Sequence, residues 1–196
     1  MFKMNIYIVF IIIFVIFKLF RLTFCCKRKI YRKKTLKTVN YLPSVTKERR
    51  DMFTELLIDI NKLIKWCKEN EYPTVKNANL LSQNWKKVIV NETSYLDHIA
   101  YVIDKNKKFY LCISTPDGSI EDKNTMRYVV FHELAHMMST SYGHNQEFFN
   151  HFLAILRVGV HLGIYEPMNY TKNPVTYCGT RITNSPCEFY NCNALL

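Results

Sequence analysis

The stretch His132-Glu133-Leu134-Ala135-His136, followed by Gly143-His144-Asn145, decides how this chain is interpreted. An α-helix turns by about 100° per residue, so side chains four positions apart point in directions that differ by about 40°. His132 and His136 can therefore offer two imidazoles to one metal ion from consecutive turns. Glu133 lies outside that row, which suits a residue that acts on a metal-activated water and does not bind the metal. The spacing predicts a zinc-dependent hydrolase.

Catalytic zinc takes three protein ligands and keeps a fourth position for water, so one more donor is needed. His144 is the next histidine along the chain, and it follows Gly143, which we expect to end the metal helix in a left-handed conformation. We therefore predict Zn²⁺ as the cofactor and Glu133 as the general base of peptide-bond hydrolysis. The predicted metal ligands are His132, His136 and His144.

Two roles around this site stay open in the sequence. Glu147 and His151, one and two turns along the next helix, are alternative third ligands. The oxyanion of the reaction needs a further hydrogen-bond donor, and tyrosines are its candidates. We choose Tyr177, because it lies in a glycine-bearing tail that can fold back over the cleft. The other tyrosines considered are Tyr142, Tyr165 and Tyr170.

The positive charge of the chain is concentrated near its N-terminus. The formal net charge is +11, but residues 1–50 carry thirteen Lys or Arg against one acid, whereas residues 51–196 carry fourteen bases and fifteen acids. The larger part of the chain is thus close to neutral. We therefore expect no direct nucleic-acid binding from the domain.

Residues 1–26 are predicted to form a retained transmembrane anchor. Residues 6–17 are apolar without a break, and residues 4–24 form a 21-residue segment that is interrupted by Lys18 and Arg21. Both cations lie near one end, where long side chains can reach the headgroups. No small-residue cleavage site follows, which argues against a cleaved signal peptide.

The charge on either side of the anchor predicts its orientation. Nine Lys or Arg lie between Lys18 and Lys37, against Lys3 alone before the apolar run. The positive-inside rule then makes this a single-pass membrane protein with its C-terminal domain in the cytosol. We expect residues 4–26 and the basic segment 27–37 to contact the membrane.

A cytosolic domain has consequences for asparagines and cysteines. The sequons at Asn91 and Asn169 are expected to stay unglycosylated. Cys25 and Cys26 are either palmitoylation sites or ordinary apolar residues at the end of the anchor. The remaining cysteines are expected as thiols in a reducing compartment; they are Cys67, Cys112, Cys178, Cys187 and Cys192.

The order of predicted elements gives an α+β fold class. After a basic juxtamembrane linker over residues 27–46, we expect one domain over residues 47–196. A small β-sheet is predicted to pack on the metal helix and on the helix that follows it. The predicted elements are helices over 47–70 and 75–85, strands over 87–90, 98–104 and 109–115, a metal helix capped by Asp122 or Asn124 and ending near Ser141, a helix after His144, and an irregular tail from Tyr165.

The metal motif also resembles a known family. His132-Glu-Leu-Ala-His136, Gly143-His144-Asn145 and Phe148 look like the WLM and SprT-like zinc metallopeptidases. The wider stretch, about residues 95–185, resembles WLM-type metallopeptidases encoded by large double-stranded DNA viruses. The resemblance implies a minimal zincin-like domain, zinc on the three histidines, catalysis by Glu133, and a protein or peptide substrate. Better-studied relatives act on proteins crosslinked to DNA, whereas this chain has a predicted anchor and a near-neutral domain.

Two functions fit these observations. The first is a membrane-anchored zinc metallopeptidase, in a host-cell or virion membrane if the chain is viral. The second is a catalytically inactive, zinc-stabilised, membrane-anchored scaffold, or pseudoprotease. Glu133 favours the first, because a structural zinc site needs no base and usually has four protein ligands.

Overall fold

Helices and a small mixed sheet make up the part of the chain that the computed structural model describes, residues 37–96 and 100–193. This confirms the α+β fold class. The predicted anchor, residues 1–26, lies outside the described residues. Within the described ranges no helix is both long and apolar enough to cross a membrane. The elements are β1 (Val39–Asn40), α1 (Lys47–Glu69), α2 (Val75–Lys87), β2 (Ile89–Glu92), β3 (Ala100–Ile103), β4 (Lys108–Leu111), α3 (Lys123–Met138), α4 (Gln146–His161), β5 (Val175–Tyr177), β6 (Thr180–Ile182) and a 3₁₀ turn (Pro186–Glu188).

The main sheet has the strand order β1-β2-β4-β3. β1, β2 and β4 run parallel, and β3 runs antiparallel to β4 at one edge. Side chains alternate between two faces along β2 and β4, so Val90, Phe109 and Leu111 are buried together. β1 was not expected, because its two residues fall in the segment interpreted as a linker. The buried Arg49–Glu92 ion pair joins α1 to β2 beside it.

α3 is the central helix of the domain. It packs against α2, α4 and the edge strand β3. Its apolar residues are buried around most of its circumference, so the polar residues of the metal motif are exceptions inside an apolar helix. α3 and α4 approach closely at Gly159, where a Cβ atom would overlap the ring of Phe131. Asp122, one of the two residues expected to cap the metal helix, is the N-cap of α3, and Asn145 is the N-cap of α4.

The chain after α4 is more ordered than the sequence indicated. β5 and β6 form a hairpin where an irregular tail was predicted. A disulfide joins Cys112 to Cys178, and a second joins Cys187 to Cys192, so the prediction that these four are thiols is wrong. Cys112 and Cys178 are 66 residues apart, and only the return of the tail to the end of β4 brings them together. Cys67 is a buried free thiol, as predicted.

Candidate metal centre

Three imidazoles converge at the C-terminal end of α3. His132 and His136 lie one turn apart on the helix, and His144 lies in the connection to α4. The Nε2 atoms of His132 and His136 are 3.2 Å apart, and His144 Nε2 lies 3.0 Å from the first and 3.2 Å from the second. The structure thus brings together the three residues that were predicted as ligands.

The donor set fits a zinc ion. At Zn–N distances of 2.0–2.1 Å, two ligands of a tetrahedral ion lie about 3.3 Å apart, close to the spacing of these nitrogens. Burial lowers the pKa of His132 to about 3 and that of His136 to about 4, with the neighbouring imidazoles as a second cause. Both rings are therefore neutral at pH 7, which is the form that binds a metal. Three imidazoles leave one tetrahedral position for a non-protein ligand.

Glu147 holds the connection that carries His144. Its carboxylate accepts hydrogen bonds from the backbone amides and the hydroxyls of Thr140 and Ser141. These bonds hold the pKa of Glu147 well below its usual range. The carboxylate is occupied by the turn and lies outside the histidine cluster, so the alternative of Glu147 as third ligand is wrong.

The backbone of the connection has two further constraints. Lys105, after β3, donates from Nζ to the carbonyls of Ser139 and Ser141, at 2.7 and 2.6 Å. Gly143 has φ of +78°, the left-handed conformation that was expected of it. α3 ends at Met138, a few residues before the predicted end near Ser141, because the chain turns where Lys105 and Glu147 bind it.

His151 serves the same connection and does not reach the cluster. It is buried, and its Nδ1 lies 2.9 Å from Ser139 Oγ, which itself donates to the carbonyl of Ala135. His151 is therefore not the third ligand either. It ties α4 to the last turn of α3.

Phe148 forms an apolar backing for the three imidazoles. It is 1% exposed, and its ring stacks on His136 with centroids 4.3 Å apart. The rings of His132 and His144 meet it edge-on, at 4.8 and 4.7 Å. One phenyl ring thus contacts all three predicted ligands and limits how far each can rotate.

Glu133 lies beside the cluster, on the side of the edge strand. Its side chain is almost fully buried, and burial raises its pKa to about 8, while a hydrogen bond from the backbone of Val102 in β3 acts in the opposite direction. The carboxylate is not part of the histidine cluster. Its role as the general base stays a prediction.

The predicted oxyanion donor is wrong. Tyr177 is fully buried, and its hydroxyl donates to the carbonyl of Cys112. Tyr165 and Tyr170 are buried as well, whereas Tyr142 is exposed and packs over the ammonium of Lys105. The tail at Tyr177 returns to Cys112 at the end of β4 and not to the histidine cluster, and the ring of Tyr177 faces the core.

The aromatic residues that line the space beside the metal centre were missed. A cavity of about 780 Å³ includes His132 and His144 in its lining, together with Phe149, Phe189 and Tyr190. Phe189 and Tyr190 belong to the tail, where the sequence shows no periodicity. The signal in the sequence that could have pointed to this cavity is the adjacent pair of aromatic residues between Cys187 and Cys192.

The chain is similar in sequence to proteins of three viruses. Over 83 or 84 residues the chain is 34% identical to uncharacterized proteins of Acanthamoeba polyphaga mimivirus, Invertebrate iridescent virus 6 and Invertebrate iridescent virus 3. The match covers 42, 40 and 42% of this chain and 42, 44 and 50% of those proteins, so it spans half or less of the relatives' length. The expectation of viral relatives is confirmed. No family model matches the chain.

Two solved structures of Wss1 from Saccharomyces cerevisiae, one of them a mutant, are similar to this chain. The mutant aligns with a TM-score of 0.49 and 16% identity over 68% of this chain and 99% of that chain. The other aligns with a TM-score of 0.48 and 17% identity, over 66% of this chain and 93% of that chain.

Replacing Glu147 tests whether the turn between α3 and α4 holds His144 in place for metal binding. Glu147→Gln keeps one acceptor oxygen but loses the charge and the second acceptor, so the turn loosens and His144 is held less firmly. We expect zinc affinity, measured by competition with a chelator, to fall by about 10–100-fold, the usual effect of removing a residue that orients a ligand. Glu69→Gln, at an exposed ion pair on α1, is the control. Equal affinities for the two variants would contradict this role.

Proposed function

We propose that this protein is a membrane-anchored, zinc-dependent metallopeptidase. His132, His136 and His144 would hold the zinc ion, and Glu133 would act as the general base. The observation that supports the proposal best is the convergence of three imidazole nitrogens within 3.2 Å of one another, beside a carboxyl group that takes no part in the cluster. A site of three protein ligands keeps a position open for chemistry.

When bound, zinc supplies Lewis-acid activation of a water and of the scissile carbonyl. The positive charge of a bound zinc ion would lower the pKa of Glu133 from about 8, so that its ionised carboxylate would take the proton of the attacking water and deliver it to the amine that leaves. The backbone of Val102 orients that carboxyl from the edge strand. The apolar residues of α3 and Phe148 shield Glu133, and partly His132 and His136, from water, which strengthens their charge interactions, whereas His144 is exposed.

The position of the edge strand supports a polypeptide as the substrate. β3 pairs with β4 on one side and forms the edge of the main sheet on the other, and it contacts α3. An extended peptide can add to such an edge through backbone hydrogen bonds. A peptide in that position would lie alongside Glu133, since this residue is bonded to the same strand.

One observation favours the second candidate, a zinc-stabilised scaffold without activity. Glu133 is almost fully buried and bonded to Val102, so it could simply join α3 to β3. A purely structural zinc site would need a fourth protein ligand, and the described residues place three donors in this cluster. The peptidase therefore remains the better supported function.

Substitution of Glu133 separates the two functions. Glu133→Gln preserves size and can still accept from Val102, so we expect zinc content and thermal stability close to those of the wild type. Hydrolysis of a mixed peptide library should fall by at least about 100-fold, because the proton acceptor is lost. His136→Ala is the comparison variant, in which zinc content and activity should fall together. Unchanged activity in Glu133→Gln would favour a scaffold, as would the absence of hydrolysis by the zinc-loaded wild type.

We also propose that residues 4–26 anchor the protein in a membrane. The sequence of residues 6–17 supports the anchor, and the basic residues after it support a cytosolic domain. The two disulfides are typical of an oxidising compartment and argue for the opposite side. Glycosylation of Asn169 can show on which side of the membrane the domain lies, since this residue lies in a surface loop. Asn91 lies within β2, and its side chain accepts a hydrogen bond from Asn40.

A charge in the apolar run should release the protein from membranes. Ile12→Lys places an ammonium in the predicted span, at a cost of about 2.5–3.5 kcal/mol. We expect the full chain to resist alkaline carbonate extraction and the variant to be extracted. Val75→Lys, on the exposed start of α2, is the matched control and should stay with the membrane. Extraction of the wild type would contradict the anchor. A mobility shift on endoglycosidase treatment would contradict the cytosolic orientation that the charge predicts and would agree with the lumenal side that the disulfides indicate.

A further inference from the structure

The cavity beside the metal centre has no role in the chemistry described above. It measures about 780 Å³, within the range of about 300–1,000 Å³ that is usual for ligand sites. His132 and His144 belong to its lining, so whatever occupies it lies next to the predicted zinc ligands. Apart from these two and Tyr128 of α3, the lining comes from α4 and from residues 184–190.

The lining selects for an apolar occupant. Six of the lining residues are Phe or Tyr, and in the described part of the chain no Asp, Glu, Lys or Arg lines the cavity. A charged side chain would lose its hydration there without gaining an ionic partner, which is costly. A large apolar side chain would exchange water for aromatic contacts, which is favourable in proportion to the area it buries.

Three of the aromatics leave much of their surface in solvent. Phe149 is 48% exposed, Phe189 77% and Tyr190 57%. Exposed apolar side chains that gather at one cavity mark a binding surface more often than isolated ones do. Tyr142 is exposed to a similar extent, 76%, but it packs over Lys105 and does not line the cavity.

The segment that presents Phe189 and Tyr190 is held in place. The Cys187–Cys192 disulfide closes it into a short loop. Tyr128 donates its hydroxyl to the carbonyl of Asn184 at 2.8 Å, and Arg157 on α4 donates from Nε to the carbonyl of Asn191 at 3.1 Å. A surface fixed before binding loses less entropy when it takes up a ligand.

We propose that this cavity is the specificity pocket of the peptidase and receives a large apolar side chain, aromatic or long aliphatic, from the substrate residue next to the scissile bond. Phe149, Phe189 and Tyr190 are the specificity-determining residues. The proposal rests on the function proposed above, because it assumes that a polypeptide is cleaved at the zinc site. It adds the chemical class of the residue that is selected.

The test compares peptides that differ at one position. The zinc-loaded full chain is first given a peptide library, and the cleavage products show which residues flank the cut. Matched peptides are then made with Phe, Leu, Ala or Asp at the selected position. We expect kcat/KM for the Phe and Leu peptides to exceed that for the Ala peptide by about 10–100-fold, and the Asp peptide to be the poorest.

Substitutions in the cavity lining test whether the preference for apolar residues arises there. Phe149→Ala, Phe189→Ala and the double change Cys187→Ser with Cys192→Ser should each reduce the Phe-over-Ala ratio by about tenfold, with little effect on the Ala peptide. Tyr142→Ala is the matched control and should keep the ratio. Tyr190→Phe should keep it too, since the ring makes the contact. Truncation of Phe149 or Phe189 removes a largely exposed ring, so the fold should persist.

The outcomes for the cavity and for the activity can be told apart. Hydrolysis without preference for apolar residues, or a preference that Phe149→Ala and Phe189→Ala leave intact, would overturn the pocket while the peptidase stands. A loss of turnover on all peptides in Tyr190→Phe would also overturn the assignment of Tyr190. If no peptide is cut, the pocket is tested by measuring how tightly the Phe and Ala peptides bind to the zinc-loaded Glu133→Gln chain. Tighter binding of the Phe peptide supports the pocket, and equal binding overturns it.

Discussion

Two imidazoles on one helix cannot make a catalytic zinc site by themselves, because the third ligand must come from a chain that has reversed its direction. Here the reversal takes place between Met138, the last residue of α3, and Gln146, the first of α4. Glu147 accepts four hydrogen bonds from the turn, and Lys105 donates two more to its carbonyls. Both ends of the turn are thereby fixed, and the position of His144 follows from them.

The surroundings of the histidines indicate that a bound metal would contribute to the stability of the fold as well as to the proposed chemistry. α3 is enclosed by α2, α4 and β3, so the imidazoles of His132 and His136 are partly removed from water. A polar group in such a place is costly unless it has a partner. Three imidazole nitrogens that face one another satisfy each other poorly, whereas a shared cation satisfies all three. Metal binding would then stabilise the packing of α4 on α3.

The features that the sequence predicted correctly are local ones. Helix geometry makes His132 and His136 point in nearly the same direction, and Asp122 and Gly143 act on the backbone next to them. The features that were missed depend on distant parts of the chain. Tyr177 is buried because the tail returns to the end of β4, where Cys112 and Cys178 meet. β1 exists because β2 offers it an edge, and its own two residues carry no strand pattern.

The prediction that these cysteines are thiols was wrong because it depended on a distant part of the chain. The cysteines were expected as thiols because the basic residues near the N-terminus predicted a cytosolic domain, and that prediction was applied to residues far along the chain. Cα atoms 6.4 Å apart at Cys112 and Cys178, and 5.3 Å apart at Cys187 and Cys192, lie within the range that a disulfide can span. Pairing in the folded chain is decided by such distances and by the redox conditions. The charge near the anchor does not determine it.

We propose that three histidines hold one zinc ion and leave a fourth position open. Zinc K-edge absorption spectroscopy of the zinc-loaded full chain tests it most directly. We predict a four-coordinate ion with three imidazole nitrogens at about 2.0–2.1 Å, one further light atom and no sulfur. His144→Ala should lose one imidazole from the spectrum. A fourth imidazole, a sulfur at about 2.3 Å, or a spectrum unchanged by His144→Ala would contradict the account.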